Sequence, residues 1–277
     1  MIKCLELNRE FDSKAEMFKA LKANKDNIIN FKKSIVYKSI DKAQLSGFVD
    51  KSNVNKSIEV KENFIAPVIN TTDFIDSHLD CHQKGIWNKS IKEQQGKIRY
   101  SLDHSPKVAD VIAYPKDVNI RVEEISFKDL GYDYLGKTQA LIFDINKDVI
   151  DNPTALKVIT KGLPVQNSVS MQYVKIELAV DSEEKEYKEE KKLWDSSINS
   201  VANKEVAEES GYYWLVYEAK IVNESSMVTL GSNSATPILY ETVQHDKALE
   251  TEAEKSLREK QAADKIKKDY LLKLLEK

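Results

Sequence analysis

Val165-Gln166-Asn167-Ser168-Val169-Ser170-Met171-Gln172-Tyr173-Val174-Lys175-Ile176-Glu177-Leu178-Ala179-Val180 is the longest alternating run in the chain. A period of two puts Val174, Ile176, Leu178 and Val180 on one face of a strand, and Ser168 and Ser170 fall on that same face. Upstream, residues 138–145 (TQALIFDI) form a continuous apolar run that reads as a central strand. Residues 109–115 and 118–127 give two further strand candidates divided by Pro115. Residues 58–70 alternate as well, and Pro67 points to an edge strand or a bulge there. Downstream, strand character resumes at residues 212–222.

Helical patterns lie mostly around this β-rich centre. Phe11, Met17, Phe18 and Leu21 recur at helical spacing, with Ile28, Ile29 and Phe31 beyond, and Asp12 or Ser13 is placed to cap the helix. Asn152-Pro153 opens a short helix with an apolar stripe of Ala155, Leu156, Val158 and Ile159. Residues 34–57 hint at short strands around Val36, Phe48 and Val49. Residues 181–210 are a charge-rich interruption, read as a helical excursion or a mobile insertion between two strands. From about 241 the chain is mostly Glu, Lys, Ala and Leu, with Leu249, Ala253, Leu257, Ile266, Tyr270 and Leu274 forming an amphipathic helix. The expected fold is α+β: a small β-barrel or closed, mostly antiparallel sheet surrounded by helices, with that C-terminal amphipathic helix. The expected division is an N-terminal segment 1–57, a core 58–240 carrying the 181–210 insertion, and a tail 241–277.

The 277 residues are 41% hydrophobic and 31% charged, enough for one core of ordinary size. The net charge of −3 gives no pull toward nucleic acid or an acidic membrane surface. Cys4 and Cys81 are far apart and in no paired-ligand spacing, which fits a reducing cytoplasm. The first residues lack the apolar stretch of a signal peptide, and no run is long enough to span a bilayer.

Three patches carry candidate chemistry. His104, in Tyr100-Ser101-Leu102-Asp103-His104-Ser105, is positioned to act as a general base at a sheet end. Ser170 is the candidate nucleophile, with no Gly-x-Ser-x-Gly elbow around it. Glu224, in Asn223-Glu224-Ser225-Ser226-Met227-Val228, is placed to orient an imidazole. Taken singly, each has a plainer reading: a loop histidine, a polar residue tucked against a sheet, a solvated carboxylate.

Together the patches resemble the signatures of the prohead proteases of tailed bacteriophages. Leu102-Asp103-His104-Ser105 matches that family's histidine motif. Val169-Ser170-Met171-Gln172-Tyr173 matches its serine strand. Glu224-Ser225-Ser226-Met227-Val228, with Gly231-Ser232-Asn233-Ser234 behind, matches its acid-bearing strand and terminal turn. Asp80-Cys81-His82-Gln83-Lys84-Gly85-Ile86-Trp87-Asn88-Lys89-Ser90 is similar to an earlier family segment. Two departures stand out: Gln172 where the family often has glycine, and a long gap from Ser170 to Glu224 that the 181–210 insertion accounts for.

The resemblance implies the β-barrel fold of the herpesvirus capsid-maturation proteases and a His104, Ser170, Glu224 triad. It implies a serine endopeptidase that needs no metal or organic cofactor. Its substrates would be the major capsid protein, the scaffold protein and the chain itself, cut inside the assembling prohead in the host cytoplasm. The related viral enzymes are commonly dimeric, and a homo-oligomer is left open; nucleic acid and membrane are not expected partners. Rivals are a zinc site at His78 and His82, four apart with Asp80 between them, if that stretch were helical, though no third ligand is evident; Ser168 as nucleophile; His245 as a second triad histidine; and a non-enzymatic scaffold or structural head protein.

Overall fold

A computed structural model describes residues 1–37, 58 and 60–241. The expected C-terminal helix, His245, and the strands expected around Phe48 and Val49 fall outside them. Within them the chain is α+β, with five α-helices and three sheets.

An N-terminal hairpin, β1 (Ile2–Cys4) and β2 (Arg9–Phe11), leads into α1 (Lys14–Ser34). Ser13 is the cap: its Oγ accepts from the Glu16 N–H at 3.2 Å. Met17, Phe18, Leu21 and Ile28 give α1 its buried face, while Phe31 stays 63% exposed.

Two sheets make the body of the molecule. One contains β3 (Phe64–Thr71), β7 (Asn119–Ser126), β8 (Lys137–Asn146) and β11 (Ile238–Tyr240) in the order β11-β3-β8-β7, all antiparallel. The central place read for residues 138–145 holds: β8 lies between β3 and β7. It is apolar on both faces because both are covered. Leu141, Phe143 and Ile145 join the main core, and Ala140 and Ile142 join a second cluster with Phe74, Phe127 and Leu130. β3 is internal rather than an edge strand. Pro67 pairs with Ile238 of the short β11, and a bulge follows between Val68 and Asn70.

The other sheet is built around β9 (Gln166–Val180) and β10 (Tyr212–Val228), which pair antiparallel over nearly their whole length. The opposite edge of β10 is shared end to end. β4 (Asp80–His82) pairs with Trp214–Val216, and β5 (Arg99–Leu102) pairs with Glu224–Met227, both parallel. The antiparallel β6 (Val111–Ala113) closes the order beyond β5. The alternation of β9 breaks at Val174, where a register shift puts Val174 43% exposed instead of in line with Ile176 and Leu178. From Gln166 to Met171 both faces are buried.

Among the described residues the expected closed barrel is not formed: no sheet closes on itself. Closure needs the outer strands to find each other. Here one edge of the four-stranded sheet is the three-residue β11 and one end of the other sheet is the three-residue β6, too short to join the long β7 or β9, and the two main sheets bury their faces against a shared side-chain core instead.

Residues 181–210 are helical and packed, not a loose insertion. α4 (Lys188–Ser197) and α5 (Lys204–Ser210) lie between β9 and β10. Trp194 is buried edge-to-face on Tyr213, and Glu190 is buried with Lys22 and Lys25 of α1 at 3.4 and 2.7 Å. Two further helices, α2 (Asn88–Gln94) and α3 (Pro153–Lys161), flank the sheets. Asn152 caps α3, accepting from the Thr154 and Ala155 N–H groups. Among the described residues no helix is long and apolar enough to cross a membrane.

Candidate active site

β10 changes register where it passes Ser170. Ile221 pairs with Met171, but the next pair is Ser225 with Val169. Val222, Asn223 and Glu224 therefore stand opposite the single residue Ser170, and Asn223 takes a left-handed φ of 62° to make room. Beyond the bulge Ser226 stands directly across from Ser168. Residues facing each other in a ladder share a face, as do residues two apart on one strand. Ser168, Ser170 and Ser226 therefore lie on one side of the sheet. Glu224 joins them, because Ser226 Oγ donates to its Oε2 at 2.8 Å.

His104 reaches this patch from the other edge of β10. The chain leaves β5 through two consecutive left-handed residues, Asp103 at φ 47° and His104 at φ 53°. Non-glycine residues seldom adopt that region, so the turn is held by its surroundings. Asp103 N–H donates to the Met227 carbonyl at 3.0 Å, His104 N–H donates to Ser226 Oγ at 3.0 Å, and Ser105 N–H donates to the Leu102 carbonyl at 2.9 Å. The imidazole then meets Glu224, with Nδ1 2.9 Å from Oε1. With Glu224 ionised it can only accept, so in a neutral imidazole Nδ1 carries the proton and Nε2 keeps a lone pair.

Glu224 and Ser170 have no exposed surface, and His104 has only 8%. Neither His104 Nε2 nor Ser170 Oγ has a hydrogen-bond partner among the described residues. Buried polar atoms are seldom left so. Here a base nitrogen and a hydroxyl, which could satisfy each other, are both unsatisfied beside one bulge. The structure thus brings all three sequence-predicted residues to one face of the β5-β10-β9 ladder. Ser168 shares that face, opposite Ser226. Gln172 sends its side-chain amide to the Lys33 carbonyl at the end of α1, 2.9 Å away.

The histidine pair of the rival zinc reading is arranged differently. Asp80 and His82 are on a strand, so the helix that would give His78 and His82 a common face is absent. His82 Nδ1 is 2.7 Å from Asn70 Nδ2, and its Nε2 is 3.3 Å from Tyr173 Oη. Burial drives its pKa down to about 4, against the pull of Asp80, with Lys32 lowering it further. His78 lies edge-to-face with Tyr37, their ring centres 5.8 Å apart.

These residues belong to a second buried polar centre that sequence reasoning missed. Asp80 takes Lys32 Nζ at 2.5 Å and Tyr173 Oη at 2.8 Å, and Trp87 Nε1 donates to Asn70 Oδ1 at 3.1 Å. Ser226 was also missed as a functional residue, although it sits two positions after Glu224 in the quoted motif. Its signal was the strand period, which puts i and i+2 on one face.

Known proteins add nothing to this geometry. No family model, no curated protein and no solved structure matches the chain. The arrangement of His104, Glu224 and Ser170 therefore carries the functional reading, together with the resemblance drawn from the sequence.

Proposed function

We propose that the chain is a serine endopeptidase of the prohead-protease kind, cutting capsid and scaffold proteins, and itself, during phage head assembly. The observation that carries this is the buried His104–Glu224 bond, with Nε2 and the Ser170 hydroxyl both without a hydrogen-bond partner among the described residues, beside the same bulge. In the proposed mechanism Ser170 Oγ attacks the peptide carbonyl and its proton passes to His104 Nε2. Glu224 holds the imidazole in the Nδ1–H tautomer and stabilises the imidazolium. The proton then goes to the leaving amine, and water releases the acyl group from Ser170 by the same base.

Ser170 is fully buried, so peptide reaches it only once the packing over β9 opens. A latent enzyme that opens during assembly fits maturation by self-cleavage. The same burial favours the second reading, a non-enzymatic head protein that keeps the protease residues as core.

One experiment separates the two. The chain is expressed with its phage's capsid precursor and processing is read by intact mass, for wild type, Ser170→Ala and Ser168→Ala. The peptidase reading expects wild type and Ser168→Ala to shorten the precursor or themselves, and Ser170→Ala to leave both at full length. Equal cleavage by wild type and Ser170→Ala removes Ser170 as nucleophile, and no cleavage by any of the three puts the head-protein reading first.

A further inference from the structure

Ser226 is fully buried and stands at the crossing of three strands, paired with Ser168 on β9 and with Ser101 on β5. Its one hydroxyl serves two residues of the candidate site at once. It donates to Glu224 Oε2 at 2.8 Å and accepts from the His104 backbone N–H at 3.0 Å. A hydroxyl has one donor and can accept at the same time, so both bonds are made without conflict.

We infer that Ser226 is the positioning residue of the site: its hydroxyl fixes the Glu224 carboxylate and the His104 backbone relative to each other. The inference rests on the peptidase reading of His104, Ser170 and Glu224. Two facts make the hydroxyl more than a filled space. Glu224 has two oxygens, and with Ser226 Oγ donating to Oε2 the other, Oε1, meets Nδ1. His104 sits in a left-handed conformation that an L-residue leaves readily, at φ 53°, and its own N–H is held there by Ser226. Loss of the hydroxyl removes one hold on the carboxylate and one on the imidazole-bearing turn together. Ser226 touches no substrate and gives up no proton in the reaction, so its effect runs through His104 and Glu224 alone.

The test uses the full chain and a fluorophosphonate probe, which phosphonylates an activated serine and expels fluoride. A second readout does not depend on activity: the low-field NMR signal of the His104 Nδ1–H, assigned by its loss in His104→Gln. Ser226→Ala is expected to slow labelling roughly tenfold or more, the scale of a weakened general base, and to broaden or erase that signal. Ser226→Thr, which keeps the hydroxyl, is expected to restore both, and the amide spectrum of each variant reports whether it is folded. A sharp His104 signal and labelling within about twofold of wild type in a folded Ser226→Ala would overturn the inference, twofold being well below the general-base scale. If Ser170→Ala labels as fast as wild type, the peptidase reading fails instead; if wild type does not label because Ser170 stays buried, the NMR signal in Ser226→Ala decides the positioning claim by itself.

Discussion

His104 Nδ1 lies 2.9 Å from Glu224 Oε1 across 120 residues of chain, in a place where Glu224 has no exposed surface and His104 almost none. A buried carboxylate this close to an imidazole edge fixes which nitrogen holds the proton. Glu224→Gln keeps the shape and removes the charge, and an amide oriented wrongly would favour the other tautomer. Under the peptidase reading its cleavage rate is expected to fall about 10³- to 10⁴-fold, the scale for loss of the third member of such a triad. Timed processing of the precursor, wild type against Glu224→Gln, measures it; a loss under about tenfold would leave Glu224 outside the machinery.

The residues of the candidate site carry local motifs that a sequence can show, whereas the architecture that brings them together is only partly legible there. His104, Ser170 and Glu224 were each marked by a local motif, and strand periodicity is enough to set a serine and a carboxylate on faces. Periodicity does not say how strands close. It gave β8 its central place because a run apolar on both faces must be covered on both. It could not give the end-to-end sharing of the β10 edge by β4 and β5, which depends on contacts far apart in sequence. The same limit hid the bulge at Val222–Glu224, which inserts residues without disturbing local composition. The charged segment 181–210 misled in part because burial of Glu190 depends on Lys22 and Lys25 from another element.

Among the described residues Lys32 and Asp80 form the most buried lysine–carboxylate pair, 2.5 Å apart with side-chain exposures of 6% and 0%, with Glu6 3.9 Å from the same Nζ. Breaking such a pair strands a charge where water cannot reach it. Lys32→Met is expected to cost about 3–5 kcal/mol of stability. Lys32→Met combined with Asp80→Asn is expected to recover part of that, since the Asp80 charge goes too. Trp214, whose ring lies 5.4 Å from Lys32 Nζ, makes tryptophan fluorescence a suitable monitor of urea unfolding. A double variant no more stable than the single one would argue that the loss comes from packing, not charge.

Gly211 joins α5 to β10 at a left-handed φ of 76°. A Cβ there would stand 2.8 Å from Phe18 Cζ and 3.2 Å from Lys14 Cδ, both on α1. Gly211→Ala meets a backbone penalty of about 1 kcal/mol and has to displace a buried ring at about 1–3 kcal/mol, together about 2–4 kcal/mol. A fall in thermal midpoint is the expected result. Gly211→Ala in a chain carrying Phe18→Leu is expected to lose less than the two single changes combined, because the displaced ring is gone.

Two buried groups near Asp80 make stability depend on pH in opposite senses. Burial first, and then the Asp80 charge, raise the Asp76 carboxyl from its usual 3.8 to about 6, and its Oδ2 has no hydrogen-bond partner among the described residues. His78, the Asp80 backbone N–H and Lys32 pull the other way. Between those two pH values the folded chain holds a proton that the unfolded chain has lost, so this contribution weakens as pH rises from about 4 to 6. His82 is the reverse case, lowered by burial from 6.5 to about 4. There the unfolded chain binds the proton first, so its contribution is complete above about pH 6.5 and is lost as pH falls toward 4. In wild type the two slopes largely offset. Asp76→Asn leaves the His82 slope alone, and stability is expected to fall on acidification from pH 6.5 to 4.5, by at most about 1.4 kcal/mol per pH unit. His82→Asn leaves the Asp76 slope alone and is expected to gain stability over the same change. Urea midpoints at pH 4.5, 5.5 and 6.5 for the three proteins decide it: parallel curves would mean that neither group keeps its shifted titration in the folded chain.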